Sequence, residues 1–595
     1  MLDILGGMCQ SFLVARRTGA MHVATTRRQH KDKIYETHLL RRSYREDGKV
    51  KNETLANLSH LPSETIAAVR ASLAGKTLVV AGEGIELTRS LAHGHLAATS
   101  VMANTLSLRE LLGPPSRQRD ICYALILARV VHPRPKLATS KWWSDTTLDA
   151  DFHLGDVSTD EVYAAMDWLA ECQERIEAAL AARHLSPEAN PSGLGYFDLS
   201  SSWVEGTKNE LAARGYSRDK KRGVAQIEYG LLTDREGRPV AIQVFRGNTA
   251  DPTAFISIVE SVRHRFALGH LTIVGDCGMI TSARIRALKE DTALGWLTCL
   301  GAPQLAQLAK ENGPLQLSLF DETDLAEFTH PDYPGERLAA CRNPLLATEW
   351  ARKREALLRA SEEALGVIVA SVASGRLSGT DQIGLKVGRT LNKWKMAKHF
   401  EVTITDTSLV VTRREGAIAA EAALDGIYVL RTTIAAAQLD ASGVVTAYKD
   451  LAHVERDFRH LKVDDLNLRP IHHRLEQRVR SHVFLCMLAA YLVWHLREAL
   501  VPLTFTDEHP ETRDNPVAPA QRSGSASKKA ATKRNDYDLE VRGFRELLEH
   551  LGSLTRNTMR VTTDSTSEFE LLAAPTPIQR RAFELLDTPV PRRLT

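Results

Sequence analysis

Residues 194–205, LGYFDLSSSWVE, have the pattern of a buried β-strand that ends in polar residues. Residues 224–247, VAQIEYGLLTDREGRPVAIQVFRG, follow as two strands around the turn DREGRP. The next elements alternate: helix 251–266, strand LTIVGDCG at 271–278, helix 281–290 and strand LGWLTCL at 294–300. This β-β-β-α-β-α-β order predicts an α/β fold with one mixed sheet and helices on its faces.

Two aspartates lie at corresponding places in this predicted sheet. Asp198 lies in the first strand and Asp276 at the C-terminal end of the fourth, the edge where open α/β sheets bind ligands. The element order matches a ribonuclease-H-like core, in which the first and fourth strands are neighbours, so we expect the two carboxylates side by side. Such a pair is most easily tolerated when a cation holds it. Mg²⁺ fits because it prefers oxygen ligands.

A third carboxylate comes from residues 448–462, YKDLAHVERDFRHLK, which read as one helix. Tyr448, Glu455 and Lys462 recur every seven residues, so they form one row that drifts by only about 20° per step. Glu455 is the predicted third metal ligand, and two ions about 4 Å apart would suit phosphoryl transfer. The alternative is a solvated row beside the apolar stripe Leu451, Val454, Phe458 and Leu461.

Composition limits the class of protein. At 595 residues the chain is long enough for several domains. A net charge of +3 excludes binding of nucleic acid through overall charge alone, so any phosphate binding is local. The seven scattered cysteines contain no Cys-x-x-Cys pair, which argues against a disulfide framework or zinc site and favours a reducing compartment. The apolar run Val483 to Trp494 is too short to span a bilayer, so we expect a cytoplasmic protein.

Basic clusters supply candidate DNA contacts. One cluster lies in ARGYSRDKKRG at 213–223, a second lies in KVGRTLNKWKMAK at 386–398, and further arginines follow Glu455. Basic residues with an aromatic suit backbone contact and base stacking; a solvated loop and a core tryptophan are the alternatives. The candidate contacts are Lys220, Lys221, Arg222, Lys393, Trp394, Lys395, Lys398, Arg456 and Arg459. His472 and His473 have no partner pair at metal-ligand spacing and are interpreted as structural or phosphate-adjacent.

Composition shifts along the chain predict seven regions. The core is interrupted by an insertion, preceded by a β-hairpin and a helical region, and followed by a helical end. The predicted regions are 1–61, an N-terminal extension and strand-rich unit; 62–190, helical and DNA-binding; 191–300, the first part of the core; 301–445, a strand-rich insertion domain; 446–505, the second part of the core; 506–536, a disordered linker; and 537–595, a helical tail.

The chain resembles the DDE transposases of bacterial insertion sequences, in the group related to insertion sequence four. The signature of that group is Tyr-x2-Arg-x3-Glu-x6-Lys. Tyr448, Glu455 and Lys462 hold three of these positions, while Leu451 stands where the signature has Arg. Further similar stretches cover most of the chain from Tyr196 onward: YFDLSSSWVEG, GLLTDREGRPVAIQVFRGNTAD, IVGDCGMIT, LNKWKMAKHF, DGIYVLRTT, LRPIHH and PTPIQRRAFELL.

This resemblance implies cut-and-paste DNA transposition. Asp198, Asp276 and Glu455 would bind Mg²⁺, with Mn²⁺ as a substitute, and Tyr448 and Lys462 would hold phosphates near the cleaved bond. The implied partners are the double-stranded DNA of the transposon ends and of the target. The resemblance also implies that two copies of the chain form a homodimer on this DNA, and that no membrane is involved. The protein would be cytoplasmic and associated with the nucleoid when bound. Two alternatives stay open: a structure-selective nuclease or resolvase, and a decayed transposase that only binds DNA.

Overall fold

The structure is a computed structural model. It describes residues 19–594, except 31–32, 77–84, 220, 222, 262–264, 267, 269–270, 282–284, 286–293, 311–312, 316, 321–322, 510–515, 519–520 and 563. The chain divides into two compact units. The first contains Met1–Ser90 with Asn557–Leu571, and the second contains Leu91–Arg556 with Leu572–Thr595.

The strands and helices are numbered in chain order over the described residues. The strands are β1 (Ala20–His30), β2 (Lys33–Glu46), β3 (Lys49–Asn57), β4 (Ile85–Ala92), β5 (Leu194–Trp203), β6 (Gln226–Thr233), β7 (Pro239–Arg246), β8 (Leu271–Val274), β9 (Leu294–Cys299), β10 (Leu325–Phe328), β11 (Arg337–Arg342), β12 (Phe400–Ile404), β13 (Leu409–Arg413), β14 (Ile427–Thr432), β15 (Thr555–Val561) and β16 (Asp564–Leu572). The helices are α1 (Ser63–Leu73), α2 (Gly94–Thr105), α3 (Leu108–Leu112), α4 (Arg117–Val131), α5 (Lys136–Trp142), α6 (Thr147–Phe152), α7 (Thr159–His184), α8 (Asp251–Glu260), α9 (Ala302–Leu308), α10 (Pro344–Ala373), α11 (Thr380–Trp394), α12 (Glu415–Ala422), α13 (Ala441–Lys449), α14 (Ala452–Arg459), α15 (Glu476–Ala499), α16 (Gly524–Thr532), α17 (Phe544–Gly552) and α18 (Pro577–Leu585).

The first unit is built mainly of strands. β1, β2 and β3 form an antiparallel sheet, with Ala20 opposite Ser43 and Glu46 opposite Lys49. The turn between β2 and β3 places Asp47 and Gly48 at positive φ, the conformation that a tight hairpin turn requires. Three strands therefore occupy the N-terminal segment for which the sequence predicts a strand-rich unit.

A mixed eight-stranded sheet organises the second unit. Its strand order is β10-β11-β14-β9-β8-β5-β6-β7. β5, β6 and β7 form an antiparallel meander, whereas β8 runs parallel to β5 and β9 runs parallel to β8. Tyr196 lies opposite Val274 in the β5–β8 pair, so Asp198 and Asp276, two residues further along each chain, reach the same edge of the sheet.

The sheet forms because its central strands are apolar on both faces. Every residue of β6 is buried, and β5 is buried except at Asp198 and Trp203. α7 and α15 pack against β7, and α7 begins with a capping box between Ser158 and Glu161. Near-continuous apolar strands are typical of a sheet that is covered on both faces.

Helix α15 is a core helix of this unit. Among the described residues, it is the one helix long and apolar enough to span a membrane, but 83% of its most apolar window is buried inside the protein. Its buried side chains run from Val479 to Leu496 and pack in the same core as the sheet. Its apolar surface is therefore accounted for by packing within the chain.

The prediction that residues 301–445 form a separate strand-rich insertion domain is wrong. Three of its strands, β10, β11 and β14, extend the main sheet beyond β9 instead of forming a separate domain. The remainder, from α10 to α12, is mainly helical with only the β12–β13 hairpin, and it has its own apolar core. β12, β13 and β14 fit the predicted richness in strands, but the 30-residue helix α10 was not predicted.

Four further regions differ from the sequence predictions. Residues 448–462 are not one helix: α13 ends at Lys449, α14 begins at Ala452, and His460–Asp464 form a π-helical turn. The predicted disordered linker contains α16, which begins at an Ser523 cap and buries Ala526. The region predicted as helical before the core contains β4, and the predicted helical tail contains the β15–β16 hairpin.

Gly230 offers a test of how closely the sheet is packed around Asp198. It lies on β6 opposite Leu199, and a Cβ there would overlap the buried ring of Phe197. We expect Gly230→Ala to lower the free energy of unfolding by about 1–3 kcal/mol through overpacking. Gly366, on an exposed turn of α10, has open space around the added Cβ, so Gly366→Ala should raise it by about 0.5–1 kcal/mol. Urea unfolding of both variants measures this, and a neutral Gly230→Ala would contradict the packing.

Candidate active site

Asp198 is the best-buried carboxylate of the predicted site. It is the only partly exposed residue in an otherwise buried stretch of β5. Burial, and to a smaller extent the negative charges of Glu455 and Asp276, raise the pKa of its carboxyl group to about 7. Arg218 acts in the opposite direction. The charges of both other predicted carboxylates therefore act on the Asp198 carboxyl group.

Asp276 follows β8 in an exposed turn. Its Oδ1 accepts a hydrogen bond of 2.7 Å from the backbone N–H of Cys277. Its carboxylate and the thiols of Cys277 and Cys299 form a group whose ligand atoms lie within 4.8 Å of one another. The hydroxyl of Tyr448 donates to Cys299 Sγ at 2.9 Å, and burial raises the pKa of Tyr448. The signature tyrosine thus lies beside the second aspartate.

Glu455 is placed by the apolar face of α14. Val454 and Phe458 are buried, and the Phe458 ring packs edge-on against Tyr229 of β6 at 5.8 Å. This packing leaves Glu455 exposed at a cavity of about 520 Å³ beside Asp198. We call this cavity the candidate catalytic cleft, and the charged residues that line it are Asp198, Arg218, Asp219, Glu455, Arg459, Lys462 and Arg469.

The three carboxylates approach one another without sharing one coordination shell. Asp198 and Glu455 line the same cleft, whereas Asp276 is on the thiol side and acts on Asp198 through its charge. Over the described part of the chain, the group of Asp276, Cys277 and Cys299 is the only one with three ligand atoms within 4.8 Å of one another. A metal site that includes Glu455 therefore requires the exposed carboxylates to turn towards Asp198.

Lys462 lies on the cationic wall of the cleft. It is buried, which lowers its pKa, and its Nζ donates at 2.9 Å to Oδ1 of Asp219. Arg469 donates to the same oxygen, and its guanidinium lies 4.9 Å from the centre of the Trp203 ring. The sequence reasoning missed Asp219, although an acid within the basic run SRDKKR at 217–222 was a usable signal.

The arginines and lysines predicted to bind DNA near the cleft have different positions. Arg459 lines the cleft, but Arg456 lines a separate cavity with Asp457 and Arg497. Lys221 lies over the Trp203 ring at 3.5 Å. Lys220 and Arg222, the other two DNA contacts predicted from residues 213–223, lie outside the described residues.

The second basic cluster belongs to the helical insertion. Trp394 is half-buried against the core of that insertion, and Lys393 lies 4.3 Å from its ring centre. Lys395 ends α11 in the left-handed conformation, and Lys398 forms an ion pair with Glu421. These contacts favour the structural interpretation of the tryptophan, and none of these residues lines the candidate catalytic cleft.

Leu451 occupies the position where the signature has Arg. It is buried and packs in the main core, immediately before α14. An apolar side chain in this place contributes to holding α14 on the sheet and offers no charge to a phosphate. The departure from the signature is therefore a packing feature of this chain.

Comparison with known proteins identifies the family. Residues 23–81 match the model described as IS1634 family transposase, N-terminal domain, and residues 197–492 match the model described as Transposase DDE domain. No curated protein matches the chain. A solved piggyBac transposase synaptic complex with hairpin DNA is similar over 69% of this chain and 77% of that chain, at 8% identity and a TM-score of 0.33. A TM-score this low does not establish a shared fold.

The raised pKa of Asp198 predicts a stability difference without divalent cations. Because this pKa is near 7 in the folded protein and near 4 in the unfolded chain, the carboxyl destabilises the fold increasingly as pH rises from about 4 to about 7. We expect Asp198→Asn, in EDTA, to raise the melting temperature at pH 8 and to leave it nearly unchanged at pH 4.

Thermal unfolding at the two pH values measures this difference. Glu401→Gln, at an exposed position of β12, is the matched control and should not change the melting temperature at either pH. A melting temperature for Asp198→Asn below that of the parent protein at pH 8 would contradict the raised pKa of Asp198.

Proposed function

This chain belongs to the DDE transposases of insertion sequences, and we propose that Asp198, Asp276 and Glu455 carry its DNA cleavage and strand transfer. The observation that carries this proposal is the position of Asp198 and Glu455 in one cleft, with the charge of Asp276 acting on Asp198. All three residues fall within the matched DDE domain. The reaction proposed is the cut-and-paste route, in which hydrolysis frees a 3′-hydroxyl that then attacks target DNA.

We further propose that the catalytic core is ribonuclease-H-like. The strand order β9-β8-β5-β6-β7 supports this, because an antiparallel meander is continued by two strands parallel to its first. The predicted second core helix lies mostly outside the described residues. β14, β11 and β10 would be additions to that core.

DDE transposases depend on divalent metal ions, and the donor set here supports Mg²⁺, with Mn²⁺ as a substitute. Asp198 and Glu455 offer oxygen ligands, which suit a hard ion. Burial, and after it the charges of Glu455 and Asp276, raise the pKa of Asp198, and a bound cation would stabilise the ionised carboxylate. Asp276 is exposed and would turn from the two thiols to complete the set. When bound, such ions activate the attacking oxygen and stabilise the leaving one.

The cationic wall of the cleft would hold the DNA backbone. Lys462 and Arg469 now donate to Asp219, so a phosphate oxygen of DNA would replace that carboxylate. Arg459 would add a contact from the exposed face of α14. Tyr448 would position the second aspartate through Cys299, in addition to the phosphate contact that the signature implies.

Two other functions fit parts of the site. A structure-selective nuclease or resolvase would use the same carboxylates to cut without joining, and strand-transfer products distinguish it. A decayed transposase is favoured only by the buried, apolar Leu451 at the signature arginine. The retention of all three carboxylates favours the active enzyme over this alternative.

The partners follow from the proposed chemistry. Transposases act on DNA, and we propose that this one binds the terminal repeats of its element and its target as a homodimer with two-fold symmetry. We place the protein in the cytoplasm, bound to the nucleoid during transposition. The helical region 62–190 contributes to DNA binding in this proposal.

Cleavage of DNA that carries the ends flanking the parent gene tests the carboxylates. Losing one ligand removes several kcal/mol of charge stabilisation, so Asp198→Asn, Asp276→Asn and Glu455→Gln should each slow cleavage by about a thousandfold or more, since about 1.4 kcal/mol is tenfold. DNA affinity should change little. Asp464→Asn, an exposed acid close to Lys462, is the control. Full activity of Asp276→Asn would exclude that residue from the site.

Light scattering of the protein with its terminal DNA tests the dimer. With Ca²⁺ in place of Mg²⁺ to halt cleavage, we expect a complex of two chains and two DNA ends, because both ends must be held before they are joined. A complex of one chain with one end at every ratio would contradict the homodimer.

A further inference from the structure

A second cavity, of about 600 Å³, lies between the helical region before the core and the segment that follows α14. Arg129, Arg134, Lys136, Arg469, His472 and His473 line it, and no described carboxylate does. We infer that this cavity, the basic pocket, binds a phosphate group of the DNA strand whose neighbouring part occupies the candidate catalytic cleft. This inference rests on the proposed function.

Lys136 is a buried lysine that has no carboxylate partner among the described residues. Its Nζ contacts Nδ1 of His482, and Nε2 of His482 lies 3.0 Å from the carbonyl oxygen of Leu468. Since that carbonyl can only accept, Nε2 carries the proton and Nδ1 offers a lone pair to Lys136. The ammonium group is therefore held by a neutral ring, which leaves its charge available to a ligand.

Arg129, which also lines the basic pocket, likewise has a neutral hydrogen-bond partner. It is buried, and its NH1 donates at 3.3 Å to the carbonyl oxygen of Leu466. Over the described residues, the side-chain contacts of Arg129 and Lys136 are with the Leu466 carbonyl and the His482 ring, and neither forms an ion pair with an acid. Burying an unpaired charge is costly, and burial together with the Arg129 charge lowers the pKa of Lys136. A bound anion would remove that cost.

The positive charge in the pocket also affects His473. Burial, and after it the charges of Lys136, Arg129 and Arg478, lower the pKa of His473 to about 3. The acids that contact residues around the pocket are Asp167, 3.4 Å from Arg478, Glu205, 3.7 Å from His472, and Asp219, which accepts a hydrogen bond from Arg469. Among the described residues, Arg129 and Lys136 are therefore the buried basic residues of the pocket that have no carboxylate partner.

The position of the pocket favours DNA over a free anion. Arg469 lines both the basic pocket and the candidate catalytic cleft, so a strand that lies in the cleft reaches the pocket without a break in the cationic surface. The volume falls in the range of small-ligand sites, about 300–1,000 Å³, which exceeds the need of one phosphate ion. A nucleotide with its phosphate fits this chemistry.

Binding of labelled terminal duplex DNA at several salt concentrations, in Ca²⁺, tests the inference. Lys136→Met should weaken binding by about tenfold or more at 0.1 M salt, as expected for the loss of a charged hydrogen bond. It should also reduce the slope of log K against log salt by about 0.9, the value for one phosphate contact. Lys141→Met, at an exposed position of the same helix, is the matched control and should leave both unchanged.

Two further variants keep the test decisive if Lys136→Met does not fold. Lys136→Arg retains the charge and should retain the slope, and Arg134→Gln, at the exposed mouth of the pocket, should reduce it by about 0.9. An unchanged slope in Arg134→Gln and in folded Lys136→Met would overturn the inference.

Inorganic phosphate separates the two sources of the anion. If phosphate raises the melting temperature of the parent but not of Lys136→Met, relative to chloride at equal ionic strength, while DNA binding is unaffected, the pocket serves a free anion and the inference is wrong. A parent protein that binds DNA with the expected slopes but does not cleave it in Mg²⁺ refutes the proposed function and leaves the basic pocket in place.

Discussion

The parallel pairing of β5 with β8 is the constraint on which the candidate active site depends. This pairing joins strands nearly 80 residues apart in sequence and sets Tyr196 opposite Val274. The register carries Asp198 and Asp276 to one edge of the sheet, and the packing of Phe458 on Tyr229 brings Glu455 to the same place. A shift of one residue in β5 would turn Asp198 to the other face, since side chains alternate along a strand.

The charges around this edge are arranged for a ligand that the free chain lacks. Three carboxylates crowd one side, and burial and repulsion raise the pKa of Asp198. On the other side, Asp219 satisfies Lys462 and Arg469, whereas Lys136 and Arg129 in the basic pocket have neutral partners. Metal ions on the acidic side and DNA phosphates on the basic side would neutralise both. Some stability of the free protein is therefore given up for binding.

Local pattern predicted the parts of the fold that depend on neighbouring residues. The β5–β6–β7 meander and the short strand before Asp276 follow from apolar runs and turn residues, and the family assignment follows from the motifs around Asp198 and Glu455. Periodicity could not detect the break at Asp450 and Leu451, because a spacing of seven is the same on one helix or across two. The pairing of β14 with β9 joins distant segments, so local pattern could not place β14 in the main sheet. The polar composition of residues 506–536 predicted disorder and did not reveal α16. This helix is held in place because Lys529 is buried and donates to the carbonyls of Val501 and Thr506.

The most direct test of the central claim is the position of Mn²⁺ in crystals of the protein bound to its terminal DNA, located by anomalous diffraction. The account predicts a manganese peak coordinated by oxygen atoms of Asp198, Asp276 and Glu455 beside the cleaved phosphate. A manganese ion held by Asp276 with the thiols of Cys277 and Cys299, and with Glu455 turned away, would contradict it.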